Sequence, residues 1–369
     1  MIAVALAAAD CRLLREVEMP KNYAIMVGTT GTGIWRSTDG GEHFSWVNWR
    51  MNGIACNDLV VRRFFVDPFN PKHVIVGTGI FDSGLPYLGS RYGLHESVNS
   101  GGNWVPIPSF EGIECWRVAF DPTRSGRFFV GTRPANIYLT EDAGASFRKL
   151  DTGMPQVCRG IGLPRITNIA LQPENPDIIF ASVEIGGVFR SLDGGKSWDR
   201  VMQNIRVPPP EGNLYGVDGR TDCHFVGFLP GEQVRVMVST PDGPFVSDDL
   251  GDNWESLPID WVFPHQYHRE FIVKLDDPNT IFYGVGDDTA GKAGSLLRSR
   301  DRGRSWEKVD LPGKQNSTVY SFAQHPADPN FILACTLKGQ LYGTEDGGET
   351  WTKYDWEFAE VRGIGWAPV

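Results

Sequence analysis

One short phrase, Ser/Thr-x-Asp-x-Gly-x-x-Trp/Phe, occurs seven times along this chain of 369 residues, once with Asn99 in place of the aspartate. Its copies begin 43 to 60 residues apart, which is enough chain for four short strands and their turns. Seven copies in register therefore predict seven equivalent units. The copies begin at Ser37, Ser97, Thr140, Ser191, Ser247, Ser299 and Thr344.

The residue types of this phrase suit a tight turn between two strands. An aspartate carboxylate accepts hydrogen bonds from backbone N–H groups, and a serine or threonine hydroxyl does the same more weakly. Glycine permits the positive φ that a chain reversal requires. The aromatic residue begins the following strand and can pack back over the turn. We therefore expect a structural role for the phrase.

Most copies follow two apolar segments that are joined by a proline-containing turn, as in Val61–Pro68 followed by His73–Gly79. A short alternating segment such as Ser197–Met202 comes after the phrase, which completes four strands per unit. We predict an all-β chain that forms a seven-bladed β-propeller of four-stranded antiparallel blades, with residues 1–369 as a single domain.

The ring is expected to close through the two termini, because an open stack of sheets would expose its edges. Glu360–Pro368 is predicted to be an innermost strand with no later partners in the chain. Cys11–Pro20 is an alternative innermost strand. The other three strands of the shared blade are predicted at Tyr23–Gly28, Gly33–Thr38 and Phe44–Trp49.

The phrase resembles the Asp-box, or BNR repeat, of sialidases, sortilin-type receptors, xyloglucan-cleaving glycosidases and photosystem II assembly factors. This resemblance covers nearly the whole chain, and it implies that the boxes lie on the face opposite the usual binding site. Its motifs specify fold rather than activity. Sialidase activity is not expected, because Leu163–Ile166 has the order Leu-Pro-Arg-Ile instead of Arg-Ile-Pro, and sialidases have six blades.

Composition narrows the class of partner. The net charge of −10, from 35 Lys+Arg and 45 Asp+Glu, argues against nucleic acid. No apolar stretch is long enough to span a bilayer, and the apolar start Met1–Ala9 lacks a basic region. The six cysteines form no CxxC pair, which favours reduced thiols in a cytoplasmic protein. A closed ring protects its edges, so we expect a monomer.

Candidate site residues emerge when the predicted innermost strands are aligned on their terminal proline. The position four residues before the proline is apolar, whereas the positions six and eight before it become polar. These positions would share one face of a strand, and the polar end would form the mouth of the central channel. The sixth blade does not follow this spacing and offers Arg269 and Glu270 instead. At minus six stand Arg62, Trp116, Thr167, His224, Tyr320 and Arg362, and at minus eight Val60, Glu114, Arg165, Asp222, Thr318 and Glu360.

These residues could support acid–base chemistry on a small polar or anionic substrate. The candidate catalytic residues are His224, His268, Tyr320, Asp222 and Glu114. Arginines would clamp a carboxylate, and the candidate substrate-binding residues are Arg62, Arg165, Arg362, Trp116, Arg269 and His265. A weaker alternative places a divalent metal ion on His224, His265 and His268, assisted by Asp222 or Glu270.

Two functions from different classes follow. In the first, the chain is a soluble hydrolase or lyase that acts at the channel mouth. In the second, it is a non-catalytic scaffold that binds a partner protein, as the resemblance to photosystem assembly factors implies. Residues such as Arg62 and Glu114 could also simply form a channel ion pair.

Overall fold

A computed structural model describes residues 22–47, 50–51, 54–55, 59–80, 92–158, 161–202, 222–231, 233–241, 243–257 and 267–369. They form seven four-stranded antiparallel sheets arranged as a ring. A two-stranded pair, β4 (Arg50–Met51) and β5 (Ile54–Ala55), follows the first sheet. The helical structure in these ranges is one 3-10 turn at Pro108–Phe110, and they contain no helix long and apolar enough to cross a membrane.

The seven sheets are numbered as blades along the chain. Blade 1 contains β1 (Tyr23–Thr29), β2 (Ile34–Ser37), β3 (Ser45–Val47) and β30 (Val361–Pro368). Blade 2 contains β6 (Val60–Asp67), β7 (Asn70–Gly79), β8 (Leu94–Ser97) and β9 (Val105–Pro106). Blade 3 contains β10 (Glu114–Phe120), β11 (Phe128–Arg133), β12 (Ile137–Thr140) and β13 (Arg148–Lys149). Blade 4 contains β14 (Ile166–Leu171), β15 (Ile179–Val183), β16 (Gly187–Ser191) and β17 (Asp199–Val201).

Blades 5 to 7 complete the ring. Blade 5 contains β18 (Phe225–Leu229), β19 (Arg235–Thr240), β20 (Gly243–Ser247) and β21 (Glu255–Ser256). Blade 6 contains β22 (Tyr267–Lys274), β23 (Asp277–Gly286), β24 (Gly294–Ser299) and β25 (Glu307–Val309). Blade 7 contains β26 (Val319–His325), β27 (Asp328–Thr336), β28 (Gln340–Thr344) and β29 (Thr352–Glu357).

The N- and C-terminal parts of the chain meet in blade 1. Strand β30 pairs with β1 along its length, with Tyr23 opposite Pro368 at one end and Thr29 opposite Val361 at the other. It also contacts the innermost strands of the two neighbouring blades, β26 and β6. Strand β1 already pairs with β2 on its other edge. The innermost position of blade 1 therefore belongs to β30, and the alternative strand Cys11–Pro20 lies outside the described residues.

The seven repeated turns share one hydrogen-bond pattern. At the last copy, the Thr344 hydroxyl donates to Asp346 Oδ1 at 2.7 Å and accepts from the Gly348 backbone N–H at 2.9 Å. The same carboxylate also accepts from the backbone N–H of Glu349 at 3.0 Å and of Thr350 at 2.9 Å. These turns join the third and fourth strands, and strand direction places them at the end of the ring opposite the starts of the innermost strands.

A β-bulge at the same place in every innermost strand controls which side chains enter the channel. In blade 2, Val61 pairs with Thr78 and Arg63 with Gly77, which leaves Arg62 as the extra residue. The same shift in register occurs in blades 1, 3, 4, 6 and 7. In blade 5, both His224 and Phe225 bond to Ser239. Bulges re-aim side chains and break the two-residue alternation of a strand.

Small residues stand opposite these bulges on the second strand of each blade, where the next blade packs closely. A Cβ on Gly284 would lie 2.3 Å from the backbone oxygen of Val319, and one on Gly77 would lie 2.5 Å from that of Cys115. The residues at this position are Gly28, Gly77, Gly131, Ser182, Ser239, Gly284 and Cys335. Close packing of neighbouring blades thus depends on the small size of this residue.

The irregular sixth blade has a simple explanation. Its first hairpin turns at Leu275 and Asp276, because Lys274 pairs with Asp277. The proline of this segment, Pro278, lies inside β23, three residues beyond Leu275, so an alignment on prolines cannot place this blade. With Leu275 in the proline position, Arg269 falls on the bulge and Tyr267 on the position two residues before it.

Candidate functional site

The starts of the innermost strands bring most of the predicted site residues to one end of the channel. We call the extra residues of the seven bulges the bulge ring, and the residues two positions earlier the rim. The bulge ring consists of Arg62, Trp116, Thr167, His224, Arg269, Tyr320 and Arg362. The rim consists of Val60, Glu114, Arg165, Asp222, Tyr267, Thr318 and Glu360. The side chains of this end fall into two arcs with different electrostatics.

In the first arc, on blades 2 to 4, arginines and glutamates neutralise one another. The buried Arg62 guanidinium donates to Glu114, whose Oε1 also accepts from Trp116 Nε1 at 2.9 Å. Arg62 and Arg165 lie on the Trp116 indole at 4.0 and 4.2 Å from its centroid, within cation–π range. Arg165 in turn donates to Glu184 Oε1 at 2.6 Å. We call this set the paired arc.

The paired arc is built as a structural cluster. Burial lowers the pKa of Arg62 to about 10, against the opposing effect of Glu114. The Glu114 carboxylate accepts from Arg62 and Trp116, and a third donor, Arg133, lies 3.6 Å away. The Glu114 carboxylate is thus already bonded by one guanidinium and one indole, which leaves it less available to contact a substrate. This arrangement agrees with the channel ion pair that the sequence offered as an alternative for Arg62 and Glu114.

The second arc, on blades 6, 7 and 1, is rich in tyrosine and arginine. Arg269 lies over the Tyr320 ring at 4.4 Å from its centroid, and its guanidinium is 3.5 Å from the Tyr267 hydroxyl. Arg362 donates to the Tyr320 hydroxyl at 3.4 Å and to Glu360 Oε1 at 2.6 Å. We call these residues, with Asp222 and His224 of blade 5, the open arc.

Positive charge dominates around Tyr320. Burial alone would raise the pKa of this phenol, but the guanidinium groups, Arg269 first and Arg362 second, lower it below its usual value. Arg269 is 4% exposed, and no carboxylate of the described residues lies within 4.0 Å of it. Arg117, which is also buried, donates to the Thr167 carbonyl and likewise lacks a carboxylate partner among these residues. Two buried cations with no carboxylate of the described residues within ion-pair distance favour the binding of an anion.

Asp222 and His224 supply the acid–base groups of the open arc. His224 Nδ1 lies 2.6 Å from the His268 carbonyl oxygen and therefore carries a proton, while Nε2 lies 3.5 Å from Asp222 Oδ2. The pKa of Asp222 is lowered: burial opposes the change, but His224 and then Arg269 outweigh it. Asp222 Oδ1 is buried and has no hydrogen-bond partner among the residues that the structure describes. His224 also packs on Tyr267, with ring centroids 4.9 Å apart.

The predicted histidine cluster does not form among the described residues. His268 packs behind the open arc with its imidazole stacked on Tyr283 at 5.7 Å, and burial lowers its pKa to about 4. It thus contributes its carbonyl, not its side chain, to His224. Glu270, the suggested assisting ligand, is in a buried ion pair with Arg63. His265 lies outside the described residues.

Within the described ranges, three ligand-type side chains approach within 4.8 Å of one another only at Asp39, Glu42 and His43. These residues are exposed on a repeated turn, and Asp39 and His43 already bond to each other there. The metal alternative therefore receives no support at the channel mouth from His224 and His268.

Sequence reasoning missed two residues of the channel end, Arg117 and Glu184. Tyr267 was expected at the rim as a loop residue but received no role, because blade 6 does not align on its proline. Arg117 follows a bulge directly, so a strict two-residue alternation placed it on the wrong face. Glu184 follows the second strand of blade 4, where its backbone N–H donates to the Arg165 carbonyl at 3.0 Å. Arg117 could have been found only by allowing for the bulge, which changes the face to which the next side chain points.

Comparison with known proteins agrees with this architecture. The Sortilin-Vps10 family model, described as sortilin, neurotensin receptor 3, matches residues 242–367, about a third of the chain. A probable oligoxyloglucan-reducing end-specific xyloglucanase of Neosartorya fischeri is 25% identical over 315 residues, which cover 72% of this chain and 37% of the relative. The chain thus spans little more than a third of the length of this curated relative.

Solved structures match over more of the chain. The GH74 xyloglucanase of Xanthomonas campestris superimposes with a TM-score of 0.61 at 15% identity, over 94% of this chain and 52% of the enzyme. YCF48 from Cyanidioschyzon merolae superimposes with a TM-score of 0.53 at 13% identity, over 80% of this chain and 84% of YCF48. YCF48 bound to a D1 peptide superimposes with a TM-score of 0.51 at 15% identity, over 94% of this chain and 97% of that chain. The chain is a seven-bladed β-propeller, and its similar proteins include hydrolases and a peptide-binding propeller.

Proposed function

We propose that this chain is an enzyme that binds a carboxylate-bearing substrate at the open arc and cleaves it by acid–base chemistry. The observation that carries the proposal is the Tyr320 phenol held between Arg269 and Arg362, with the Asp222–His224 pair linked to Arg269 through Tyr267. Arg269 supplies a buried positive charge that has no carboxylate of the described residues within ion-pair distance. An anionic substrate group would complete this charge balance.

The same geometry assigns a role to each group. Arg269 and Arg362 would orient the substrate carboxylate, since guanidinium groups bind it with directional hydrogen bonds. Asp222, kept ionised and held by His224, would accept a proton. Tyr320, with its lowered pKa, would donate one to the leaving oxygen.

Elimination fits these groups better than hydrolysis. Glycoside hydrolysis uses two carboxyl groups, whereas Glu114, Glu184 and Glu360 are each bound to an arginine. In an elimination, Asp222 takes the proton from the carbon next to the carboxylate, and the bond to the leaving oxygen breaks. Its electron pair leaves with that oxygen, Tyr320 protonates it, and a carbon–carbon double bond remains in the product. Hydrolysis would instead consume water and leave no double bond.

The test is a cleavage assay on uronate-containing disaccharides, with cellobiose as the neutral control, because the similar curated protein is a xyloglucanase. New ultraviolet absorbance from an unsaturated uronate reports elimination, whereas reducing ends without that absorbance report hydrolysis. Tyr320→Phe should lower kcat by about 100-fold or more, while Tyr138→Phe, on the third strand of blade 3, should not change it.

A second variant separates binding from chemistry. Arg362→Gln should raise KM for the uronate substrate, because it removes one of the two guanidinium contacts to the carboxylate. Uronate cleavage that survives Tyr320→Phe unchanged would contradict the acid–base assignment. Absence of any cleavage, with no thermal stabilisation by uronates, would contradict the enzyme proposal as a whole.

The scaffold alternative draws on the same cationic end of the channel. YCF48 has been solved with a bound D1 peptide, and a peptide carboxylate could occupy the site between Arg269 and Arg362. Stabilisation of the chain by a peptide with a free C-terminus, but by no uronate, would favour this alternative. Amidation of the peptide would then abolish the effect.

A further inference from the structure

We infer that the mouth face carries a second subsite, which stacks the neutral face of a sugar ring and makes an acidic oligosaccharide the substrate class. This inference rests on the proposed function at the open arc. The subsite is a shallow depression of 320 Å³ at blade 1, lined by Gly31, Thr32, Trp35 and Trp46. We call these four residues the aromatic platform.

The pairing of two strands places the two indoles of the platform on one face. Trp35 of β2 and Trp46 of β3 lie directly opposite each other in the antiparallel register, and such partners share a face. Gly33 leaves room for the second indole, since a Cβ there would lie 3.0 Å from Trp46 Nε1. Trp46 remains 39% exposed, which is unusual for a side chain of this size.

The platform is supported from below by blade 7. Trp35 packs on Trp356 and Phe358, with ring centroids 6.4 and 6.2 Å apart. Trp356 Nε1 donates to the Glu42 carbonyl at 2.9 Å, which ties blade 7 to blade 1. A ligand that stacks here therefore meets a surface that packing already holds in place, and little ordering is required on binding.

The chemistry of the depression fits a pyranose ring. A pyranose presents apolar C–H groups on its face and hydroxyl groups at its edge, so it can contact an indole face and still hydrogen-bond at the rim. Thr32 is exposed at the edge of the platform, and its hydroxyl lies 3.5 Å from Trp35 Nε1. A stable protein–protein interface would need about 800 Å² from each partner, which a depression lined by four residues does not offer.

A single loop connects the platform to the open arc. The Thr30 backbone N–H donates to the Glu360 carbonyl at 2.7 Å, and its hydroxyl donates to Glu360 Oε1 at 3.0 Å. That same oxygen accepts from Arg362 Nε at 2.6 Å. The loop between β1 and β2 thus lies beside the carboxylate-binding arginine, and Gly31 and Thr32 continue from it to the indoles. In blade 1, β2 and β3 lie two and three strands away from β30, roughly 10 and 14 Å. An oligosaccharide with a uronate at Arg362 would therefore place on the platform a ring that is two or three residues further along, not the adjacent one.

The test compares galacturonate monomer, galacturonate tetramer and cellotetraose by isothermal titration calorimetry with the full chain. Tetramer should bind the wild type more tightly than monomer. Trp46→Ala should weaken tetramer binding by roughly tenfold and leave the monomer unchanged. Trp46→Phe should keep most of the affinity. Phe69→Ala, which removes a 47% exposed aromatic side chain from the opposite end of the ring, is the matched control.

The outcomes separate this inference from the proposed function. The platform would be overturned if the wild type and Trp46→Ala bound the tetramer with equal affinity. If Arg362→Gln also lost binding of both the galacturonate monomer and the tetramer, the proposed site at the open arc would be retained. Cellotetraose binding that disappears in Trp46→Ala, with no uronate binding that depends on Arg362, would support the sugar subsite and contradict the anionic site. If Trp46→Ala and Phe69→Ala weakened tetramer binding by the same amount, the platform would also be overturned.

Discussion

The buried ion pair of the paired arc allows a sharp stability prediction through Glu114→Gln. Arg62 and Glu114 are 5% and 6% exposed, and the carboxylate is bonded by both Arg62 and Trp116. Glutamine keeps the shape and can still accept from the Trp116 indole, so the substitution removes mainly the charge. The Arg62 guanidinium would then remain buried without its counter-ion.

Removal of one partner from a buried ion pair costs about 3–5 kcal/mol. Burial lowers the Arg62 pKa, and Glu114 is the first influence that opposes this lowering. The matched control is Glu360→Gln, because Glu360 and Arg362 form a pair whose side chains are 31% and 21% exposed. A fully exposed pair contributes only about 0–1 kcal/mol, so this half-buried pair should contribute less than the buried Arg62–Glu114 pair.

The assay is urea unfolding, with the midpoint shift read at an unchanged m-value. The double substitution Arg62→Met with Glu114→Gln should recover most of the loss, because no buried charge is left alone. If Glu114→Gln destabilises the chain no more than Glu360→Gln does, the pair is not buried in the way described here. A double variant that is less stable than either single variant would contradict the same reasoning.

Three further predictions concern packing, the repeated turns and pH. Gly284→Ala should lower the free energy of unfolding by about 1–3 kcal/mol, because a Cβ there would lie 2.3 Å from the Val319 backbone oxygen. An unchanged urea midpoint would contradict this. Asp346→Ala should cost about 1–3 kcal/mol by the loss of its turn hydrogen bonds, and an unchanged melting temperature would contradict the role of the turn. Burial lowers the pKa of His268 to about 4, so its contribution to stability is present above about pH 6.5 and is lost as pH falls towards 4; His268→Gln should flatten that part of the stability–pH curve.

The fold was predictable because its turns repeat in the sequence. The phrase from Ser37 to Phe44 recurs with the same internal spacing, and its hydrogen bonds recur with it in the structure. Prolines were a weaker marker than the phrase. They mark the first hairpin turn in most blades, but in blade 6 that turn falls at Leu275, and Pro278 lies inside the next strand.

The site was predictable in its location and less so in its contacts. Alignment on the prolines found Arg62, Tyr320 and Arg362 because each stands at the same bulge. The bulge also reverses the face to which the following side chains point. A pattern that assumes strict two-residue alternation cannot predict this reversal. Proximity along the chain was misleading for His268, because neighbouring residues of a strand point to opposite faces.

The asymmetry of the channel end follows from where carboxylates fall on a symmetric scaffold. Every blade offers the same bulge, so the backbone would support seven equivalent positions. In the paired arc, Glu114 and Glu184 stand within reach of Arg62 and Arg165, and the charges cancel. On blade 6 the equivalent rim residue is Tyr267, which cannot neutralise Arg269 as a carboxylate would. Arg269 is held instead by the Tyr267 hydroxyl and the Tyr320 ring, and a buried guanidinium with no carboxylate in contact is costly. The anion-binding role that we propose for blades 5, 6, 7 and 1 would explain why this residue stands there.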